Sequence, residues 1–454
     1  MKKFFGTDGV RASSNSQKLN GLTLIKLGMA LGKHFTVGEH RHKVVIGKDT
    51  RLSGYMIEQA LTSGLLSMGM DVFLFGPIPT PAVAMLTKSM RADLGIMITA
   101  SHNQYQDNGI KIFDKNGNKL SDETEIEIES LMESELENSL AGPEKIGRAK
   151  RLEDANGRYI EFLKGTFPKS QRLDGLKIVI DCANGASYIS APLILWELGA
   201  EVIQIATQPN GTNINFECGS TNTNKLAKKV LEEKADIGIA LDGDGDRLAV
   251  IDEKGHLVNG DQILALLAIE MSKDKKLKNN NVVGTSMANM GLETLLKKHN
   301  IGLIRAKVGD RYVKEKMISE DLNLGGEQSG HIILRDFTSS GDGIVVALQV
   351  LSILNRKKGK ASDCLHLFSP LPQNLINFRV KERNILDHED TKLFIKSCEE
   401  KVSEDGRIVV RMSGTEPLLR VMIESGNQHT IDELTESVTT VSYTHLTLPT
   451  NTTV

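Results

Sequence analysis

Asp93-Leu94-Gly95-Ile96-Met97-Ile98-Thr99-Ala100-Ser101-His102-Asn103 is the stretch whose reading decides the fold. Residues 93–98 form a short, nearly unbroken apolar run, the pattern of a strand buried on both faces in a sheet covered by helices. Such a strand delivers Ser101 to a loop at its carboxyl end, where open α/β sheets place their chemistry. Asp107-Asn108-Gly109 then turns the chain into Ile110-Lys111-Ile112-Phe113, which returns a lysine beside the serine. A loop serine is ordinarily a turn or cap residue, so reading it as a nucleophile depends on what the rest of the chain brings to it.

Upstream, the chain opens on Gly6-Thr7-Asp8-Gly9-Val10-Arg11, a turn-rich loop with one arginine. An amphipathic helix is expected over 22–35 and a strand over 43–47. Lys48-Asp49-Thr50-Arg51-Leu52-Ser53-Gly54 is a polar loop opening a helix over 55–68, followed by a strand over 71–75 and a helix near 82–87. This alternation favours parallel βαβ construction. Downstream, Asp122 with Glu125 reads as a capping box opening a charged helix to about residue 139, which Ala141-Gly142-Pro143 ends.

A second alternating set has helices over 155–167 and 189–198 and strands over 176–181, 201–205 and 236–241. A third has helices over 261–271, 289–299 and after Gly309-Asp310-Arg311, with strands over 282–285 and 301–306. From residue 366 the order changes to a strand over 375–380, a helix over 386–399, adjacent strands over 407–411 and 418–424, and a helix over 431–441. The expected architecture is α/β: three similar α/β domains with mixed, mainly parallel sheets, followed by a smaller α+β domain. Boundaries fall at 1–150, 151–253, 254–365 and 366–441, leaving 442–454 as an atypical tail.

The bulk numbers agree with several domains, since 454 residues exceed the roughly 250–300 at which single cores stop growing. A net charge of −3 without a basic block argues against nucleic acid as a partner. Cys182, Cys218, Cys364 and Cys398 are scattered with no Cys-x-x-Cys pair, which fits reduced thiols in a cytoplasm better than a disulfide framework or zinc knuckle. Met1-Lys2-Lys3-Phe4-Phe5 runs straight into a turn, leaving no room for a signal segment, and no run approaches the ~18 apolar residues of a membrane span. The expectation is a soluble cytoplasmic protein.

Three further loops carry chemistry. Asp242-Gly243-Asp244-Gly245-Asp246-Arg247 places three carboxylates on alternate residues of a glycine-rich turn, where they repel unless a hard divalent cation compensates them. An EF-hand loop is the competing pattern, and Glu253 falls at its twelfth position. Arg247, however, stands where that loop wants glycine, and the flanks read as strands, so magnesium at a strand end is the better reading. Arg411-Met412-Ser413-Gly414-Thr415-Glu416-Pro417, between two strands, combines small residues, hydroxyls and the charges of Arg411 and Arg420; this suits a phosphate dianion or, more plainly, a hairpin turn. Gly326-Glu327-Gln328-Ser329-Gly330-His331 offers a carboxylate, an amide, a hydroxyl and an imidazole that could bind sugar hydroxyls or an amine; His331 could equally be structural.

Taken in order with Phe5-Gly6-Thr7-Asp8-Gly9-Val10-Arg11, these four motifs resemble those of the α-D-phosphohexomutases over residues 1 to about 441. The resemblance implies that Ser101 carries a phosphoryl group and that Asp242, Asp244 and Asp246 bind one magnesium ion per chain together with that phosphoserine. It makes residues 327–331 the sugar-reading loop, with Glu327 and Ser329 as contacts, and Arg411, Ser413, Gly414, Thr415 and Arg420 the phosphate holders. Lys111, Arg247, His331 and Arg11 would surround the transferring phosphoryl, with Lys111 assisting proton transfer. The implied activity is an isomerase interconverting glucosamine 6-phosphate and glucosamine 1-phosphate through a 1,6-bisphosphate, which also serves as activator. Such an enzyme supplies UDP-N-acetylglucosamine for cell-wall precursors. Glucose or mannose phosphates are the alternative substrates, sharing every motif but the details of the sugar loop. The implied partner is a small sugar phosphate, with neither nucleic acid nor membrane, and a homodimer is allowed. Two departures stand out: Gln104 where the family usually has proline, which removes a restriction on the serine loop, and the Thr-rich residues 442–454, which lack helical periodicity.

Overall fold

The computed structural model describes residues 3–6, 8–379, 385–402, 406–412 and 418–441. Its first unit contains β1 (Val10–Ser13), α1 (Gly21–Phe35), β2 (Lys43–Lys48), α2 (Gly54–Ser67), β3 (Asp71–Pro77), α3 (Thr80–Ser89), β4 (Leu94–Ile98), β5 (Asp107–Asp114), α4 (Asp122–Met132) and β6 (Ala149–Arg151). The sheet order is β1-β5-β4-β2-β3-β6, with β4, β2, β3 and β6 parallel and β5 antiparallel to its neighbours. All five β4 residues are buried, as their unbroken apolar run requires. The two helices on one face touch through glycine: a Cβ on Gly64 would lie 2.3 Å from the Ile25 carbonyl oxygen, so α1 and α2 approach backbone to backbone.

The second unit holds α5 (Ala155–Thr166), β7 (Lys177–Asp181), α6 (Ser190–Glu197), β8 (Glu201–Ile205), α7 (Asn224–Glu233), β9 (Ile237–Leu241), β10 (Leu248–Asp252) and β11 (Leu257–Val258), in sheet order β11-β10-β9-β7-β8. The third holds α8 (Gly260–Lys273), β12 (Asn281–Thr285), α9 (Met290–Lys298), β13 (Gly302–Ala306), α10 (Asp310–Ser319), β14 (Leu324–Gly326), β15 (Ile332–Leu334), α11 (Gly343–Lys357) and α12 (Ala361–Leu365), in order β13-β12-β14-β15. The fourth has β16 (Gln373–Arg379), α13 (Glu389–Val402), β17 (Gly406–Met412), β18 (Leu418–Ser425) and α14 (Gln428–Val441), with β18 central in an antiparallel sheet. Three α/β units followed by a smaller α+β unit is therefore the architecture.

Each unit repeats one device. A strand runs out to a loop and returns antiparallel beside itself: β4 to β5, β9 to β10, β14 to β15, and β17 to β18. The first three motif loops occupy the first three of those turns, and the fourth motif begins at the end of β17 with Arg411 and Met412. One continuous apolar core joins the first three units, from Val45 and Phe75 through Ile180 and Leu241 to Leu264 and Leu348, so they are held as one body. The fourth unit has its own core around Phe378, Val421 and Leu434. It docks on the third through Arg407, which donates to Ser286 O at 2.7 Å and to Glu424 Oε2 at 2.6 Å, while Glu424 Oε1 accepts the Met290 amide at 2.8 Å.

Several local expectations need correction. Ser121, not Asp122, caps α4, accepting the Thr124 amide at 3.3 Å, and Asp122 instead pairs with Arg311 across units at 2.5 Å. That helix stops at Met132, and Leu136–Ser139 is a separate 3-10 turn. Its last turn carries no basic residue, and Glu133 and Glu135 oppose the negative end of the helix dipole. Helix α7 was not anticipated, although Leu226 and Val230 are its buried i, i+4 pair. Nor was α11, which is apolar almost all round because it is packed on α5 and α8 and lies in the shared core. Residues 442–454 lie outside the described residues.

Candidate active site

Ser101 leaves β4 in the left-handed region, at φ 51°, and is buried. Its Oγ donates to Asp242 Oδ2 at 2.7 Å. A serine in that conformation costs about 1–2 kcal/mol, and here a buried guanidinium and a side-chain amide hold the loop that carries it. Arg51 Nη2 donates to the Ser101 and Asn103 carbonyls at 3.0 and 2.7 Å, Nη1 to those of Asp107 (3.1 Å) and Gln104, and Nε to Asp49 at 2.8 Å. From the second unit, Asn215 Nδ2 donates to the same Ser101 and Asn103 carbonyls at 2.8 Å each. The loop's order is thus imposed through its carbonyls, Gln104 included, and does not depend on a proline. Arg51→Lys keeps the charge beside Asp49 but cannot span four carbonyls. It is expected to lower turnover roughly 10–100-fold, as supporting-shell changes do, with secondary structure by circular dichroism unchanged. Wild-type turnover would contradict this role.

The turn between β9 and β10 brings Asp242, Asp244 and Asp246 together. All three are buried, and one carboxylate oxygen from each lies within 4.8 Å of the others. Gly243 permits this, because a Cβ there would lie 2.5 Å from the Ser101 carbonyl oxygen. Lys111, from β5, donates to Asp244 Oδ2 at 2.7 Å and Asp246 Oδ2 at 2.9 Å. Asp244 Oδ1 and Asp246 Oδ1 are buried and accept no hydrogen bond. Burial and the charges of Asp246 and Asp244 push the Asp242 carboxyl well up. Three convergent carboxylates, two of them with one oxygen that accepts no hydrogen bond, fit a hard divalent cation such as magnesium.

Charges alternate outward from this cluster. His331 Nδ1 stands 3.6 Å from Asp246 Oδ1, and its Nε2 3.7 Å from Asp310 Oδ2. Lys119 bridges Asp310 (2.5 Å) and Asp8, and Asp8 Oδ2 lies 3.8 Å from Lys111 Nζ and 3.5 Å from Arg11 Nη2. Arg11 Nη1 also reaches Asn103 Oδ1 at 3.4 Å. Burial lowers the Lys111 pKa, but Asp244, Asp246 and Asp8 outweigh it and raise it well above its usual value. Lys111 thus places positive charge directly against the carboxylate cluster. Burial likewise opposes His331, yet Asp246, Asp310 and Glu327 raise its pKa. Burial lowers that of His102, beside the serine, to about 4, helped by Arg247 and Arg11.

The second and third loops are bound to each other. Arg247 and His331 form an antiparallel bridge, and the Leu248 amide donates to Gly330 O at 3.1 Å. Gly330, at φ 87°, must be glycine, since a Cβ would strike the Leu248 carbonyl at 1.9 Å. The Glu327 carboxyl is raised by burial against the opposing pull of His331 and Arg247, while Ser329 is exposed on the same turn. In the fourth unit Arg411 and Arg420 stand directly opposite on β17 and β18. Arg411 is lowered by burial and by Arg420, and raised by Glu327, whose charge it therefore feels across units. Gln328 Nε2 donates to Gln373 Oε1 at 3.3 Å over the same gap. Ser413, Gly414 and Thr415 lie outside the described residues.

Comparison with known families gives a match to every unit in this order. Residues 2–139 match phosphoglucomutase/phosphomannomutase alpha/beta/alpha domain I, 157–255 domain II, 259–371 domain III and 375–441 the C-terminal domain. The chain belongs to this family. Phosphoglucosamine mutase of Parvibaculum lavamentivorans is 54% identical over 440 residues, covering 97% of this chain and 98% of the relative. Among solved structures, a phosphoglucomutase/phosphomannomutase family protein of Burkholderia thailandensis superposes with a TM-score of 0.81 at 22% identity over 98% of this chain and 99% of that one. An N-acetylphosphoglucosamine mutase of Aspergillus fumigatus, solved with GlcNAc-6P and magnesium, gives 0.67 at 19% identity over 96% and 95%. These structures share the fold of the family.

Sequence reasoning identified Ser101, Lys111, Asp242, Asp244, Asp246, Arg247 and His331, all of which converge, and Arg11 at their edge. It treated Arg51 as part of a polar loop and gave no role to Asp8, Lys119, Asp310 or Asn215. Asp8 and Asp310 each sit beside a glycine in a short polar turn, which is the only local signal they carry.

Proposed function

We propose that the chain is a phosphoglucosamine mutase, moving a phosphoryl group between Ser101 and the two ends of glucosamine phosphate. The observation that carries this is the 2.7 Å contact of Ser101 Oγ with Asp242, inside a carboxylate cluster that Lys111 also enters. The match to relatives of that name over nearly the whole chain supports the same reading. In it, phosphoserine 101 gives its group to O1 of glucosamine 6-phosphate: the O1–P bond forms as the P–Oγ bond breaks, and the O1 proton is passed to Oγ. The bisphosphate turns over, Oγ takes the 6-phosphoryl as the O6–P bond breaks, and the Oγ proton goes to O6, leaving glucosamine 1-phosphate. Lys111 and Arg247 face the charge on the moving group, and His331 and Arg11 complete the surround. Magnesium, held by Asp242, Asp244, Asp246 and the phosphoserine, withdraws charge from the phosphoryl oxygens when bound. Arg411 and Arg420, with Ser413, Gly414 and Thr415, hold whichever phosphate is not reacting.

Each of the four units, drawn at 1–150, 151–253, 254–365 and 366–441, contributes one loop, so one chain suffices and a homodimer is not needed to complete the site. A sugar 1,6-bisphosphate restores the phosphate when Ser101 has lost it. No helix among the described residues is long and apolar enough to cross a membrane, and the substrate is a cytoplasmic metabolite in this reading.

Glu327 and Ser329 distinguish the 2-amino group. An ammonium offers three donors and no acceptor, which suits a carboxylate and a hydroxyl oxygen. One charge-assisted hydrogen bond is worth roughly 1.5–3 kcal/mol, so glucosamine 6-phosphate is expected to be preferred to glucose 6-phosphate by about 10–100-fold in kcat/KM. Ser329→Ala is expected to erode that ratio while Ser101 stays phosphorylated, measured by coupled assays and intact mass. Equal efficiency of the unmutated protein on both sugars would favour a phosphoglucomutase/phosphomannomutase instead.

A further inference from the structure

At the opposite end of β4 from Ser101, three side chains converge with no place in phosphoryl transfer. His40 and His42 lead into β2, and Asp93 precedes β4, its parallel neighbour. Asp93 is fixed by its own backbone pairing: its amide donates to Lys43 O at 2.8 Å, and its Oδ2 accepts the Lys43 amide at 2.7 Å. That leaves Oδ1, which lies 2.8 Å from His40 Nε2 and 3.5 Å from His42 Nδ1. His42 is 4% exposed, and neither of its ring nitrogens makes a hydrogen bond. A buried imidazole with both nitrogens unsatisfied is costly to leave unpartnered, and here one of them is aimed at a carboxylate oxygen. One donor atom from each of the three residues lies within 4.8 Å of the others.

The donor set is two imidazoles and one carboxylate, which suits zinc, whereas magnesium and calcium prefer oxygen alone. With zinc bonds of about 2.0–2.1 Å, tetrahedral donors stand roughly 3.3 Å apart, and the 2.8 and 3.5 Å separations bracket that spacing. The neighbouring cations are turned away: Arg41 holds Asp71 at 2.6 Å, and Lys43 Nζ points to Met90 O at 3.4 Å. We propose that His40, His42 and Asp93 form a zinc site, with water in the fourth position on the exposed His40 side, that clips together the entry ends of β2 and β4. On binding, the imidazoles coordinate as neutral rings and any proton shared between His40 and Asp93 is released. The five-residue β4 separates this site from the serine loop by ~16 Å of strand.

The test is calorimetric titration of the full chain with zinc chloride in saturating magnesium, together with His40→Ala and Asp244→Asn. His40 is 59% exposed, so its replacement leaves the fold intact. The expected result is one zinc per chain that survives in Asp244→Asn and binds at least ten times more weakly in His40→Ala, with mutase turnover of His40→Ala unchanged. Zinc should raise the melting temperature of the wild type and not that of His40→Ala. No zinc uptake by the wild type, uptake unaltered in His40→Ala, or uptake lost only in Asp244→Asn would each overturn the site.

Discussion

Ser101→Ala is expected to abolish both the phosphorylated population and mutase turnover, the latter by about four to six powers of ten, the scale on which losing a nucleophile acts. The hydroxyl is the atom that accepts and returns the phosphoryl group, and among the described residues no other hydroxyl is bonded to Asp242 in its place. The backbone gives no reason for collapse, because alanine at φ 51° is no more strained than serine and the Arg51 and Asn215 bonds go to carbonyls. Intact-protein mass and a coupled assay on the same sample check this. Near-wild-type turnover with the serine gone would remove Ser101 as the carrier.

Asp244→Asn is expected to cost about a thousandfold in turnover, equivalent to roughly 4 kcal/mol of transition-state charge stabilisation, and to raise the magnesium concentration needed for half activity. Its Oδ1 is one of the two unsatisfied oxygens of the three-aspartate cluster, and its Oδ2 already accepts from Lys111. Asparagine preserves the shape while removing one of three crowded negative charges, so folding is expected to be unharmed or slightly strengthened. Turnover should fall while the melting temperature holds, a split that a purely structural aspartate would reverse. Removal of metal by a chelator should silence the wild type and be reversed by magnesium. Full activity after chelation would end the metal assignment.

The chemistry was legible in the chain because it sits on short local patterns. The apolar run before Ser101 fixes β4, and alternate aspartates on a glycine turn announce convergence of charge wherever they occur. What was not legible depends on pairing across great sequence distance. Lys119 meets Asp310, 191 residues away, and Asn215 meets Ser101, 114 residues away; neither residue carries a mark of its partner. Arg51 reads as a surface charge until the fold closes four carbonyls around it. Helix α11 went unseen for a related reason: burial on nearly all sides erases the polar face by which a helix is recognised. At α4 two adjacent residues, Ser121 and Asp122, could each cap, and the choice fell to Ser121 because Asp122 is drawn to Arg311 in the third unit.

The central claim is that one phosphoryl group leaves Ser101 for the sugar and another returns. It is tested most directly by loading Ser101 with 32P-phosphate and adding glucosamine 6-phosphate with magnesium for a single turnover. The expected result is label leaving the protein for glucosamine 1,6-bisphosphate and glucosamine 1-phosphate, with the protein regaining unlabelled phosphate at equal mass. Label appearing instead as inorganic phosphate, with the serine left bare, would show hydrolysis rather than transfer and contradict the claim.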